Sequence, residues 1–360
     1  MYKKEKNKKL TKEKLEQLKK KTKGITLIAL VVTIIVLLIL AGVAINLSIG
    51  QNGIFSRAIV AKDEYSKATS KEKISLAMQA LLIEKKGNGQ NEKISAEELT
   101  NQLNEEGLSG FSVSGNSNLI VKLKNNESFV VKQTGEVLDN SLNAVLKQGD
   151  YINYNSDSLS GGENWRVFYI NNGSVSIVST NPTEIIQATN NGVTEESESL
   201  TKQFGEFLSQ KRTEQVSVNI GRDKEFGDEI VAKDLNYYSS DLAKNYSLTI
   251  TMEDIKKAIG ISYTIGEKVT YDDLKKNDIN NLFPLIGDCY LIGTYYGNLN
   301  QNKNSLYMVF SNRGGIGACW LMQSAFDVGT KIRPIVELKE NLEIVDGDGS
   351  IENPYTLKVK

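Results

Sequence analysis

Residues 24–45 read GITLIALVVTIIVLLILAGVAI, and from Gly24 through Ser56 no side chain is ionisable. Fifteen of the twenty-one residues from Ile25 to Ile45 are Ile, Leu or Val. A helix of that length spans about 31 Å at roughly 1.5 Å per residue, matching a hydrocarbon core of about 30 Å. Its branched aliphatics favour insertion by about 4 to 9 kcal/mol. A buried helix of a soluble protein usually carries some polar stripe, and this stretch has none. The sequence therefore predicts a transmembrane helix over 25–45.

The flanks set its direction. Residues 1–24 hold eleven lysines and three glutamates, a net charge of +8, so residues 25–360 carry −9 in a chain whose total is −1. On the other side, Arg57, Lys62, Asp63, Glu64 and Lys67 nearly balance. Cationic flanks stay in the cytoplasm, which makes residues 1–24 a cytoplasmic leader and puts residues 46–360 outside. The competing reading is a secretory signal cut after Ala44, because Gly42-Val43-Ala44 is a small-x-small triplet. Against it, the apolar core of such a signal has roughly 7 to 15 residues.

Composition narrows the chemistry. Histidine is absent, which removes Ser-His and Cys-His nucleophilic pairs, histidine-ligated zinc and any histidine pH switch. Two cysteines, Cys289 and Cys319, are too few for a thiolate zinc or iron–sulfur site. The bulk charge balance gives no footprint for nucleic acid. No Ser-Lys, paired-carboxylate or glycine-rich phosphate motif stands out, so the sequence points to no cofactor and to a chain that is not an enzyme.

Beyond the membrane, 46–140 and 146–360 differ in texture. Ile54 to Glu84 places Phe55, Ala58, Ile59, Tyr65, Ile74, Ala77, Met78 and Leu81 at three- and four-residue steps, an amphipathic helix. Ser95-Ala96-Glu97-Glu98 is a capping box opening a short helix that ends near Gly107. Leu119–Leu123 and Ser128–Val131 around Asn125-Asn126 form a hairpin, with Val137-Leu138 a further short strand. From Leu146 the strands turn aromatic: 151–154, 165–170 and 175–178, the last two joined by Asn171-Asn172-Gly173, whose residues tolerate positive φ. Residues 183–199 read as an exposed polar loop, and 200–211 and 251–259 as helical patches. Residues 289–293, 306–310 and 318–322 are expected as adjacent strands, followed by 332–336. The fold class is α+β.

Two weaker site candidates follow from the outside topology. Cys289 and Cys319 could form a disulfide, worth about 3 to 4 kcal/mol for a loop of roughly 30 residues, or remain two buried thiols. Asp346 and Asp348 in Asp-Gly-Asp-Gly offer alternating carboxylates, but calcium takes about six or more oxygens, and a glycine turn with solvated aspartates is the simpler reading.

The string KGITLIALVVTIIVLLILAGVAI resembles the N-terminus of the type IV prepilin and pseudopilin family over residues 1–45. The resemblance implies that a membrane-embedded aspartyl prepilin peptidase cuts after Gly24 and methylates the new amino terminus, Ile25. A glycine there lets backbone leave helical geometry and approach catalytic groups closely. The family places a glutamate at the fifth residue after the cut, where this chain has Ala29. In the family that carboxylate pairs with a neighbouring subunit's amino terminus, so Ala29 implies a minor, tip-located or solely membrane-bound role. The fold implied is a long N-terminal helix, transmembrane and then amphipathic, packed on a small antiparallel sheet. With its Arg333-Pro334-Ile335-Val336-Glu337-Leu338 ending, the stretch 146–340 resembles extracellular domains with a C-type-lectin-like or formylglycine-generating-enzyme-like fold. The implied function is a single-pass cell-surface protein, a minor filament or adhesive component. Its partners are membrane lipid, the prepilin peptidase, other pilin-like subunits and surface or glycan ligands. The alternatives are a pseudopilin of a type II-like secretion apparatus and a membrane-tethered extracellular enzyme.

Overall fold

A computed structural model of the chain describes residues 14, 16, 29–48, 53–89, 92–154, 165–180, 183–188, 198–213, 230–232, 241–283, 290–298, 304–310, 315–320 and 330–360. The chain divides into two units, residues 1–72 and 73–360.

In the first unit, helix α1 runs from Ala29 to Ser48 with a mean hydropathy of 2.9 and no buried share. Among the described residues it is the one helix long and apolar enough to cross a membrane, and a signal sequence passes the same test. Its aliphatic side chains face outward, Leu38 being 67% exposed. The hydroxyl of Thr33 donates to the Leu30 carbonyl at 2.7 Å, so this polar group is satisfied inside the helix itself. Helix α2 (Ile54–Gly87) begins in this unit, where Ile54, Phe55, Ile59, Val60 and Tyr65 are exposed, and continues into the second.

The second unit is α+β. From Lys73 onward α2 buries Ile74, Ala77, Met78 and Leu81, the stripe expected from their spacing. Helix α3 (Ala96–Glu105) starts at the expected capping box: the Ser95 hydroxyl accepts from the Glu98 N–H, and the Glu98 carboxylate accepts from the Ser95 N–H. Both helices lie on one face of an antiparallel meander, β1 (Phe111–Ser114), β2 (Leu119–Leu123), β3 (Ser128–Val131) and β4 (Val137–Asp139). Alternation sorts this sheet. Leu119, Val121, Phe129 and Val131 face α2 and α3, while Ile120 and Val130 point the other way into a second core. The turn expected at Asn125-Asn126 joins β2 to β3, with Asn126 at φ 66°. The sequence reading missed β1, whose four residues stand between Gly110 and Gly115.

Short helix α4 (Leu142–Val145) leads into two larger sheets. One has seven strands, ordered as follows: β10 (Ala243–Ser247), β15 (Ile335–Leu338), β7 (Ser174–Ser179), β6 (Trp165–Asn171), β5 (Tyr151–Asn153), β17 (Tyr355–Val359) and β16 (Leu342–Asp346). Pairing is antiparallel except between β5 and β17. The β6–β7 turn has Asn172 at φ 48° and Gly173 at φ 87°, as its sequence predicts. The other sheet has six strands, ordered β13 (Gly315–Trp320), β12 (Asn304–Phe310), β11 (Tyr290–Asn298), β14 (Thr330–Ile332), β8 (Thr183–Ala188) and β9 (Ile230–Ala232). Helices α5 (Glu198–Ser209), α6 (Met252–Ile259) and α7 (Tyr271–Asn277) complete the elements.

Two cores hold these layers. Val167, Val175 and Ile177 of the seven-stranded sheet share one with Ile120, Val130, Leu142 and Ile344. Phe168 and Val178, on the opposite face, share another with Met252, Ile255, Phe283, Tyr290 and Tyr307.

Two readings are corrected. Residues 183–199 are not all loop: 183–188 form β8, because backbone pairing with β14 and β9 overrides polar composition, and α5 begins at Glu198. Residues 332–336 are not one strand. The chain leaves the six-stranded sheet at Ile332 and joins the seven-stranded sheet at Ile335, crossing at Arg333-Pro334. Arg333 is 1% exposed there; its Nε donates to the Ser179 carbonyl at 3.0 Å and its guanidinium lies over the rings of Phe283 and Tyr290.

Candidate functional site

Gly24 and Ile25 lie outside the described residues. Ala29 is the first residue of α1 as described and is exposed. Cys289 also lies outside them, and the backbone of Cys319 pairs in β13 with Leu306 of β12. Asp346 and Asp348 serve a turn. The Asp346 Oδ1 accepts from the N–H groups of Gly347 (2.8 Å) and Asn116 (3.2 Å), and the Asp348 Oδ1 accepts from the Ser350 N–H at 3.0 Å. Among the described residues no three acidic or cysteine side chains are grouped as metal ligands.

That turn is one wall of a cleft of about 300 Å³ in the second unit. It links β16 to β17 through Gly347 and Gly349 at φ 96° and 80°. A Cβ on Gly349 would stand 2.5 Å from the Tyr355 ring and 3.0 Å from the Asp150 carboxyl carbon, so only glycine lets the turn pass this close. The Gly349 carbonyl accepts from the Tyr151 N–H at 2.9 Å, fixing the turn against the residue after Asp150.

Other walls come from distant segments. Lys132, Gln133 and Thr134 belong to the turn between β3 and β4, and Ser117 and Asn118 precede β2. The Asn118 amide donates to the Gly347 carbonyl at 2.9 Å, and Asn353 bonds to the Ser117 hydroxyl, so the first sheet and the C-terminal turn are stitched together beside the opening. Lys93 enters from the segment before α3, and Lys147 and Asp150 from the turn after α4. Arg166 braces this last turn: its Nε donates to the Gly149 carbonyl at 3.0 Å, and its two terminal nitrogens each donate at 2.7 Å to the Asn280 and Asn281 carbonyls.

The electrostatics are mixed. Burial pushes the Asp150 carboxyl up to about 6, outweighing the hydrogen bond from the Lys147 N–H and the charges of Lys147, Lys132 and Arg166. Burial pushes Asp348 up as well, but hydrogen bonds from Ser350 and Asn353 and the Lys93 charge outweigh it and hold that carboxyl below its ordinary value. Burial, aided by the Asp150 charge, lifts the Tyr355 phenol to about 12. Lys132 is paired with Glu136 at 2.7 Å. Lys93 makes only a 3.4 Å bond to the Ser117 hydroxyl, and the Lys147 ammonium has no hydrogen-bond partner among the described residues.

Chemically the arrangement can hold a small polar ligand, with cations for an anionic group and carboxylates for hydroxyls. Sequence reasoning brought only Asp348 to this site, and for a different role. Lys93, Lys132, Lys147 and Asp150 come from separate stretches with no spacing that announces them; the glycine-aspartate turn is the one local signal. No protein-family model, no curated protein and no solved structure matches the chain.

Proposed function

We propose that this chain is a pilin-like, single-pass cell-surface protein. Its leader 1–24 is cytoplasmic, a prepilin peptidase removes that leader after Gly24 and methylates Ile25, and residues 46–360 act outside the cell as a minor filament or surface-binding component. The observation that carries this is α1: a twenty-residue helix with a mean hydropathy of 2.9 and no buried share, in a chain whose first twenty-four residues are rich in lysine. A soluble fold would leave such a helix with a large exposed apolar surface, which lipid removes. Two features support the rest. In the second unit, helix α2 packs with α3 on a four-stranded antiparallel meander, which is in keeping with the helix on a small sheet that the prepilin resemblance implies. Ala29 leaves α1 without the carboxylate that would draw neighbouring subunits together, which favours a minor role over that of a bulk filament subunit.

Mass spectrometry of the amino terminus, on protein extracted from its native membrane, tests this. A mature chain beginning at N-methylated Ile25 supports the reading. One beginning at Ile45 makes the segment a secretory signal, and an intact Met1 on freely soluble protein overturns membrane anchoring altogether.

A further inference from the structure

We propose that the cleft beside Asp150 binds a carboxylate-bearing, polyhydroxylated ring, the chemistry of a uronic-acid unit in an acidic polysaccharide. The inference deepens the surface-binding reading and rests on it only for where the ligand is met.

The lining charges argue for an anion. Lys93, Lys132 and Lys147 line the cleft with Asp150 and Asp348, and the three cations project from three separate segments. Glu136 engages Lys132, but Lys93 and Lys147 retain hydrogen-bonding capacity, each ammonium having three donors and Lys147 using none among the described residues. A ligand carboxylate placed between them gains charge-assisted hydrogen bonds that no protein group supplies.

The remaining lining argues for hydroxyls around that carboxylate. Asp150 uses only Oδ2, accepting from the Lys147 N–H at 2.7 Å, which leaves Oδ1 as an acceptor. The exposed hydroxyl of Thr134 can both donate and accept. A simple inorganic anion would leave these groups unused and would face Asp150 and Asp348 directly. Val145 and Tyr355 are 1% and 2% exposed, so neither presents an open face to a lipid tail or an apolar peptide side chain. The volume, about 300 Å³, is at the lower bound of small-molecule sites and suits one ring with part of its neighbour.

The test uses the full chain in detergent micelles and isothermal titration calorimetry at about pH 6, with trigalacturonate as probe and maltotriose and inorganic phosphate as separate arms. Saturable binding of trigalacturonate, weakened about tenfold or more by Lys147→Ala and largely restored by Lys147→Arg, supports the proposal. Lys147 is exposed, so these variants keep the fold, and circular dichroism checks it. Absence of heat with trigalacturonate, equal binding of maltotriose or phosphate, or a Lys147→Ala variant that binds like the parent each overturns it. The amino-terminal mass of the same sample separates this outcome from failure of the membrane reading, since either can fail alone.

Discussion

The side chain of Asn140 pairs with the backbone of Ile344, 204 residues later, in both directions: its Nδ2 donates to the Ile344 carbonyl and its Oδ1 accepts from the Ile344 N–H, each at 2.8 Å. Both residues are buried, so the amide stands in for a strand edge where the first sheet meets β16. Asn140→Ala leaves the N–H and the carbonyl of Ile344 buried and unpaired. The expected loss is about 2 to 4 kcal/mol, read as a lower midpoint in urea denaturation with an unchanged slope.

Asp150 sets a pH dependence of the opposite sign from the usual carboxylate. Its folded value of about 6 lies above the value of about 3.9 for an unfolded aspartate. The folded state therefore binds more protons between those limits, and stability falls as pH rises from about 4 to about 6. The carboxyl is partly exposed and screened, which reduces the effect to about 1 to 2 kcal/mol. Asp150→Asn should flatten that part of the profile, as measured by thermal unfolding across the pH range.

Glu337 behaves in the contrary way. Burial pushes its carboxyl up, but hydrogen bonds from Ser174 (2.6 Å), Lys211 (2.9 Å), Asn245 (2.9 Å) and Lys244 outweigh burial and hold it below the usual range. The carboxylate joins β7, β10 and β15. A depressed folded value contributes stability that is present above about pH 4 and lost as pH falls toward the folded value. Glu337→Gln should cost about 1.5 to 3 kcal/mol near neutral pH, and the gap to the parent should narrow in acid. Chemical denaturation at two pH values checks both statements.

Gly349→Ala should destabilise by about 2 kcal/mol or more, because the position sits at φ 80° and the new methyl would meet the Tyr355 ring at 2.5 Å. Gly260→Ala is the comparison: its φ is 70°, but its Cβ meets nothing within 4 Å, so only the backbone strain of about 1 kcal/mol remains. A difference in melting temperature between the two variants isolates the steric part.

Elements whose instructions are local were legible in the sequence. The apolar run of α1, the capping box at Ser95, the stripe from Ile74 to Leu81 and the Asn172-Gly173 turn each state their structure within a few residues. What escaped depends on distant partners. The polar segment 183–188 is a strand only because 330–332 and 230–232 pair with it, and Phe111–Ser114 is one only because β2 lies beside it. The break at Arg333-Pro334 is invisible until two sheets exist for the chain to cross between. The cleft is of the same kind. Its cations lie at positions 93, 132 and 147, and folding alone makes them neighbours.

The first sheet is covered on both sides, with Val121 and Phe129 under the helices and Ile120 and Val130 under the later strands. A fragment cut after residue 140 would therefore not be a smaller, tidy version of the protein: it would bare aliphatic surface and lose the partner of Asn140. The sheet and the C-terminal body must melt together, so a single cooperative transition is the signature of the intact second unit, and a shortening cut belongs ahead of residue 73, never between the sheet and β16.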